Sequence, residues 1–286
     1  MAQAEEVAEA ILWLRSDKSG FARAPTTLLT AAMLPNETNY LELPMNARSL
    51  TGKTILVIGG SAGIGLEVAR IALEQEAIVH IASRGKTRSA PTLPRAIYHT
   101  CDAKSSASLD ALFQKLDRVD HVAITVHESA ARLGIVTTAD KMNLSAAIEY
   151  SDGKFWSQYR VIQAALPHLA QDGTLTLTSG VASRVSMANH SAISAVNASI
   201  EACARQLAKE LAPRRVNVVA PGVTATTTYD AMLPELKEQF VQKIASVVPL
   251  KRIAFAEEIA LAYIFAMQCG YLTGTVLDAS GGQLIA

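Results

Sequence analysis

The sequence has little cysteine, no excess of either charge and no long apolar run. Its three cysteines, Cys101, Cys203 and Cys269, are far apart and show no CxxC spacing. That argues against a zinc site or a disulfide framework. It suits buried small hydrophobes in a reducing compartment. Basic and acidic residues balance at 26 each, so the basic excess of a nucleic-acid or anionic-membrane surface is missing. Arg214 and Arg215 are a pair, not a block. No apolar run reaches the roughly 20 residues of a membrane-spanning helix. The opening stretch, MAQAEEVAEAILWL, carries acids where a signal or transit peptide would carry bases. The expectation is a soluble cytoplasmic protein with no nucleic-acid or membrane partner and no metal. The chain has 286 residues and is 50% hydrophobic, enough for one large domain with a substantial core.

The two ends echo one another. AEEVAEAILWL (4–14) resembles AEEIALAYIFA (256–266), and TTLLTAA (26–32) resembles GTVLDAS (274–280). Each copy reads as an amphipathic helix followed by a short strand. Two copies do not make a repeat array. One explanation is a C-terminal piece of a related unit fused ahead of a complete one; the other is chance similarity of two amphipathic helices. Residues 1–48 are expected to form an extension outside the main domain, 49–286. LPNETNYLELPMNARS (34–49) reads as a linker broken by Pro35 and Pro44.

From Thr51 the pattern changes. TILVI (54–58) is a short apolar run suited to a strand buried on both faces. Further strand-like runs fall at 77–83, 96–100, 121–125, 174–179, 216–220 and 273–278. Helical stretches fall at 66–76, 108–116, 155–169, 191–211 and 256–268. Strands alternating with helices predict an α/β fold: a Rossmann-type, doubly wound, mainly parallel sheet of about seven strands with helices on both faces.

GGSAGIG (59–65) sits at the turn from the first strand into the first helix. Glycines there let the turn tighten and let the backbone approach a pyrophosphate on the helix N-terminus. Gly59, Ser61, Ala62, Gly63, Ile64 and Gly65 are therefore cofactor-binding candidates; the alternative is a tight turn with no ligand. The second strand ends IASRGK (81–86). Where a carboxylate would hold a ribose 2′-hydroxyl, the sequence has Ser83 and Arg84, with Lys86 and Arg88 nearby. A guanidinium favours a 2′-phosphate, so NADP(H) is expected rather than NAD. The alternative is a solvated loop arginine.

With these features the sequence resembles the short-chain dehydrogenase/reductase family over nearly all of 51–286. CDAKS (101–105), LAPRRVNVVAPGVTAT (211–226) and TGTVLDASGG (273–282) fit the family's later motifs. The resemblance implies cofactor contacts from Asp102, Ala103, Thr125, Pro221, Gly222, Val223 and Thr226, with Thr224 beside them. It also implies pairing through the helices at 155–169 and 191–211, giving a homodimer or homotetramer.

The family's catalytic set is an asparagine, a serine, a tyrosine and a lysine, and here the resemblance departs. The serine position falls on Gly180, with Ser179 one residue early. The tyrosine position falls on Ile193, the lysine position on Asn197 and the asparagine position on Lys154. The turn after the fourth strand reads ITVHES (124–129). Isoleucine has no proton to give, and a neutral amide cannot depress a phenol pKa. Lys154 and Asn197 look like an exchange of the usual asparagine and lysine, which would keep a positive charge in the pocket; the alternative for Lys154 is a solvent-facing helix position. His190 titrates near neutrality and is a second proton-donor candidate, or a helix-start residue. The candidate catalytic residues are Lys154, Ser179, Asn197 and His190. Tyr150 and Lys154 form a chance Tyr-x-x-x-Lys. Asp152 and Trp156 could line the pocket, with Asp152 alternatively an N-cap. The implied function is an NADP(H)-dependent oxidoreductase with a noncanonical site. It would reduce an iminium or carbonyl group of a small substrate of natural-product type. The alternatives are a non-redox cyclase or isomerase, and a nucleotide-bound scaffold or sensor.

Overall fold

Strand β1 (Thr54–Ile58) is buried along nearly its whole length, as its unbroken apolar run requires. The structure is a computed structural model, and it describes residues 49–85, 92–229 and 233–286. The chain divides into units 1–45 and 46–286, and every described residue belongs to the second. The N-terminal echo and the linker up to residue 48 lie outside the described residues, as do Lys86 and Arg88.

After β1 come α1 (Gly63–Glu74), β2 (Ile78–Ser83), β3 (Ile97–Thr100), α2 (Ser106–Phe113) and β4 (Val119–Ile124). Then follow α3 (Leu144–Ser151), a π turn at Asp152–Trp156, α4 (Ser157–Ala165), β5 (Leu169–Thr178) and α5 (Ser191–Glu210). The chain continues through β6 (Arg215–Pro221), β7 (Thr224–Ala225), α6 (Pro234–Val247), β8 (Ala254–Phe255), α7 (Ala256–Gln268) and β9 (Val276–Ala279).

Seven strands form one parallel sheet in the order β3-β2-β1-β4-β5-β6-β9. The order reverses between β1 and β4. In open α/β sheets, the carboxyl ends of the strands at such a reversal form the binding crevice. Period-2 alternation sends Ile55 and Val57 to one face, and Leu56 and Ile58 to the other. The first pair packs with α1 and α7 through Val68, Ala72, Ile259 and Tyr263. The second packs with α2, α4 and α5 through Leu109, Phe113, Val161, Ile162 and Ile200. Both faces are therefore covered, as the sequence pattern predicts.

Two expectations about elements need correction. The helix expected at 155–169 is entered through the π turn at Asp152–Trp156 and ends at Ala165. Pro167 follows and has no N–H to continue the ladder. The strand expected at 174–179 starts five residues sooner, at Leu169, across a register shift against β4. Gly173 permits this: a Cβ there would lie 2.8 Å from the Asp120 carbonyl oxygen. Two helices are additions to the sequence reading. Asn143 caps α3 by accepting from Ala146 N, and α6 opens with Pro234 in its first turn. No helix among the described residues is long and apolar enough to cross a membrane.

Candidate active site at the carboxyl end of the sheet

The glycine loop is built by close packing. A Cβ on Gly65 would lie 2.4 Å from Thr125 Oγ1 and 2.6 Å from the Gly59 carbonyl oxygen. Helix α1 can thus approach β4 only with glycine at 65. Gly59 has φ +90° and Gly63 φ +55°, the left-handed region that suits glycine. Thr125 Oγ1 donates to the Ile58 carbonyl at 3.0 Å, joining the ends of β1 and β4. Ala62 precedes α1 with no side-chain cap, so its own side chain leaves the first helical N–H groups open to an anion. Ser61 and Ile64 complete the loop and are partly exposed.

The other cofactor-binding candidates converge on this loop. A Cβ on Gly63 would meet Thr226 Cβ at 3.3 Å, so the segment after β6 lies over the glycine turn. That segment is fixed by Gly222 N donating to Ala279 O, and by Ala254 N donating to Val223 O. Pro221 ends β6, and Thr224 is buried in β7. On the adenine side, Ser83 ends β2 with its hydroxyl donating to the Gly85 carbonyl at 2.9 Å, and Arg84 is exposed. Asp102 follows β3 and accepts from Lys104 N, while Ala103 beside it is buried.

Lys154 is brought inward by the π turn between α3 and α4. The wider turn buries both Gly153 and Lys154, and such turns often mark functional sites. The carbonyls it releases are satisfied by side chains: Ser157 Oγ donates to Gly153 O, and Gln158 Nε2 to Lys154 O. Gln158 also clamps the last residue of β5, donating to Thr178 O and accepting from Thr178 N. Glycine is needed at 153 because a Cβ would lie 2.9 Å from the Glu128 side chain. The solvent-facing alternative for Lys154 is therefore overturned: the residue is 7% exposed and its Nζ donates to the Ser179 carbonyl at 3.0 Å. Burial lowers its pKa from the usual lysine range to about 8.

Asn197 reaches the same point from α5. A Cβ on Gly180 would lie 3.1 Å from Asn197 Nδ2. Asn197 Oδ1 is buried and has no hydrogen-bond partner among the described residues. Lys154, Ser179, Gly180 and Asn197 thus meet at the end of β5. The Ser179 hydroxyl points elsewhere, into a buried bond to Glu201 Oε1 at 2.9 Å. Its carbonyl, not its hydroxyl, meets Lys154. His190 precedes α5 and donates from Nδ1 to the Ala188 carbonyl at 2.7 Å, as the helix-start reading has it. Ile193 packs against the core. Tyr150 is buried, and burial pushes its phenol above the usual range. Asp152 pairs with Arg160, rather than capping a helix, and Trp156 is half exposed with its ring against Phe155 and Tyr159.

His127 is a site residue that motif reading passed over. It lies two residues past Thr125, in the altered turn after β4, and beside Glu128, whose side chain covers Gly153. The residue keeps solvent access, yet its crowded surroundings and then the Lys154 charge lower its pKa to about 4. It is neutral at pH 7. The signal for it was a histidine in the ITVHES turn (124–129), at the topological switch.

Two observations fit a nicotinamide dinucleotide: the glycine cradle that a Cβ would fill, and the orphan Asn197 Oδ1, which lacks a donor of the kind a ribose hydroxyl offers. Comparisons with known proteins agree. A family model described as enoyl-(acyl carrier protein) reductase matches residues 58–283. The short-chain dehydrogenase/reductase ucsE of Acremonium sp is 30% identical over 259 residues, covering 84% of this chain and 98% of that protein. The short-chain dehydrogenase/reductase malC of Malbranchea aurantiaca is 28% identical over 258 residues, covering 82% and 96%. Among solved structures, a small-chain dehydrogenase in complex with NADPH superposes with a TM-score of 0.69 at 31% identity, covering 82% of this chain and all of that one. The MalC reductase/Diels-Alderase of Malbranchea aurantiaca superposes with a TM-score of 0.73 at 26% identity, covering 84% and 99%. The sheet order, the glycine turn and these matches converge on one conclusion: the chain belongs to the short-chain dehydrogenase/reductase family and is of the NAD(P)-dependent oxidoreductase type.

Proposed function

We propose that the protein is an NADP(H)-dependent reductase of a small natural-product-type substrate. Its site is noncanonical, with Lys154 at the reacting group in place of the tyrosine and lysine that Ile193 and Asn197 replace. The observation that carries this reading is the buried Lys154 ammonium at the end of β5, opposite Asn197. Arg84 would hold the 2′-phosphate, the glycine loop the pyrophosphate and Asn197 the nicotinamide ribose. NADPH, when bound, supplies the hydride. Lys154, with a pKa of about 8, is mainly protonated at neutral pH. It can therefore stabilise charge growing on a carbonyl oxygen and pass a proton to it. A cationic iminium would be repelled by the same ammonium, so the site favours a carbonyl below pH 8 and an iminium above it. The same reading makes the protein a homodimer or homotetramer paired through α4 and α5. A monomer by light scattering would remove that part.

Calorimetric titration with NADPH and NADH, followed by NADPH oxidation against a carbonyl and iminium panel, tests the proposal. Micromolar NADPH binding, weaker NADH binding and turnover support it. A second reading, a non-redox cyclase on the same fold, is favoured by the likeness to the MalC reductase/Diels-Alderase. NADPH binding without oxidation across the panel would select that reading. Binding of neither nucleotide would leave the glycine loop structural and remove both cofactor-based readings.

A further inference from the structure

Glu201 is 5% exposed and lies one helical turn beyond Asn197 on α5. Its Oε1 accepts from Ser179 Oγ at 2.9 Å and from Ser183 Oγ at 2.6 Å. Arg184 completes the set, with Nη2 3.3 Å from Oε1 and Nε 3.3 Å from Oε2. Arg184 is itself anchored by Asp278 on β9, with Nη1 donating to Oδ2 at 2.6 Å. A buried carboxylate is tolerated only when its lone pairs are filled and its charge is paired. Here two hydroxyls and a guanidinium do both. All three donors come from one short turn, residues 179–184, which also carries Gly180 opposite Asn197 and the carbonyl that receives Lys154.

Ser179 therefore joins two systems. Its hydroxyl is held by Glu201, and its carbonyl holds the Lys154 ammonium at 3.0 Å. We propose that Glu201 is a positioning residue: by clamping the 179–184 turn it fixes the Ser179 carbonyl, and through it the site of the Lys154 ammonium. This rests on the reading that places Lys154 at the reacting group. Its test, however, does not depend on turnover.

The test measures the reaction of Lys154 with acetic anhydride by mass spectrometry across pH 6–11, in the full chain and in Glu201→Gln. Glutamine keeps the volume and loses the charge that pairs with Arg184. The expected result is at least a threefold faster labelling of Lys154 on the high-pH plateau, where the amine is fully neutral, and an upward move of its pH midpoint toward that of exposed lysines. The other lysines should be unchanged. Ser179→Ala, which removes the link and leaves the Glu201–Arg184 pair, should give the same change and decides the matter if Glu201→Gln does not fold. A Lys154 rate and midpoint equal to the parent's in a folded variant would overturn the proposal. No NADPH oxidation by the parent, together with the expected Lys154 change in the variants, would count against the reductase reading alone.

Discussion

The Lys154 ammonium and the Ser179 carbonyl oxygen are 3.0 Å apart, in a region where the lysine has almost no contact with water. This geometry makes Lys154 a poor surface charge and a good local one. Lys154→Met is expected to reduce kcat for carbonyl substrates by roughly 100-fold or more, the contribution typical of a general acid. In the parent, carbonyl reduction should fall as pH rises through about 8, because the proton is then lost. Iminium reduction should rise over the same range. Stopped-flow NADPH oxidation at several pH values reads both, and a flat carbonyl profile would remove Lys154 as the proton source.

Lys154→Met should also raise the pKa of His127. The crowded surroundings dominate the depression to about 4, and the Lys154 charge adds to it, so the move is upward but incomplete. Imidazole resonances in NMR titrations of the two proteins measure this directly. An unchanged value would separate His127 from Lys154.

Arg84 is exposed at the end of β2 and free to meet a 2′-phosphate. A hydrogen bond between charged groups is worth about 1.5–3 kcal/mol. Arg84→Ala should therefore weaken NADPH binding by roughly 10- to 100-fold, with NADH little changed. Calorimetry with both nucleotides decides; an equal loss for both would sink the 2′-phosphate assignment.

Asn197 Oδ1 is a buried acceptor without a partner among the described residues. If a ribose hydroxyl fills it, Asn197→Leu should weaken NADPH binding by about 3- to 10-fold, the worth of one neutral hydrogen bond. The variant should unfold at the parent's temperature or above, because an unsatisfied polar group has been removed. Lower thermal stability with unchanged affinity would assign Asn197 to the core.

Gly65→Ala places a methyl group 2.4 Å from Thr125 Oγ1 and 2.6 Å from the Gly59 carbonyl oxygen. Overpacking of this kind costs about 1–3 kcal/mol. Urea unfolding should show that loss, and NADPH affinity should drop with it as the loop shifts. A stable variant with full affinity would contradict the packing described.

His121 is buried in β4 with Nδ1 beside Thr174 Oγ1 at 2.9 Å. Burial lowers its pKa from 6.5 to about 4, with Asp120 opposing the shift. Between those values the unfolded chain binds a proton that the folded chain does not, so stability rises with pH. The contribution is fully present above pH 6.5 and is lost toward pH 4, by about 3 kcal/mol. Urea unfolding at pH 4.5–7 should show this slope, and His121→Gln should flatten it.

Where the chemistry of a segment is local, the sequence alone determined it. The buried strand, the glycine turn and the amphipathic helix of 54–74 specify one another through contacts a few residues apart. Alternation of such units then leads to a parallel sheet covered on both faces. The helix at 256–268 was legible to the residue for the same reason. Lys154 is the opposite case. Its sequence neighbours permit either a solvent-facing or a buried side chain, and the outcome is set by partners 20 to 25 residues away. Gln158 bonds Thr178, the π turn packs Gly153 on Glu128, and the lysine then meets the Ser179 carbonyl. The Ser179 hydroxyl, its commitment to Glu201, and the coupling of His127 to Lys154 were likewise decided by tertiary structure. Each depends on which strands and helices are brought together at the carboxyl end of the sheet, and no periodicity or spacing encodes that.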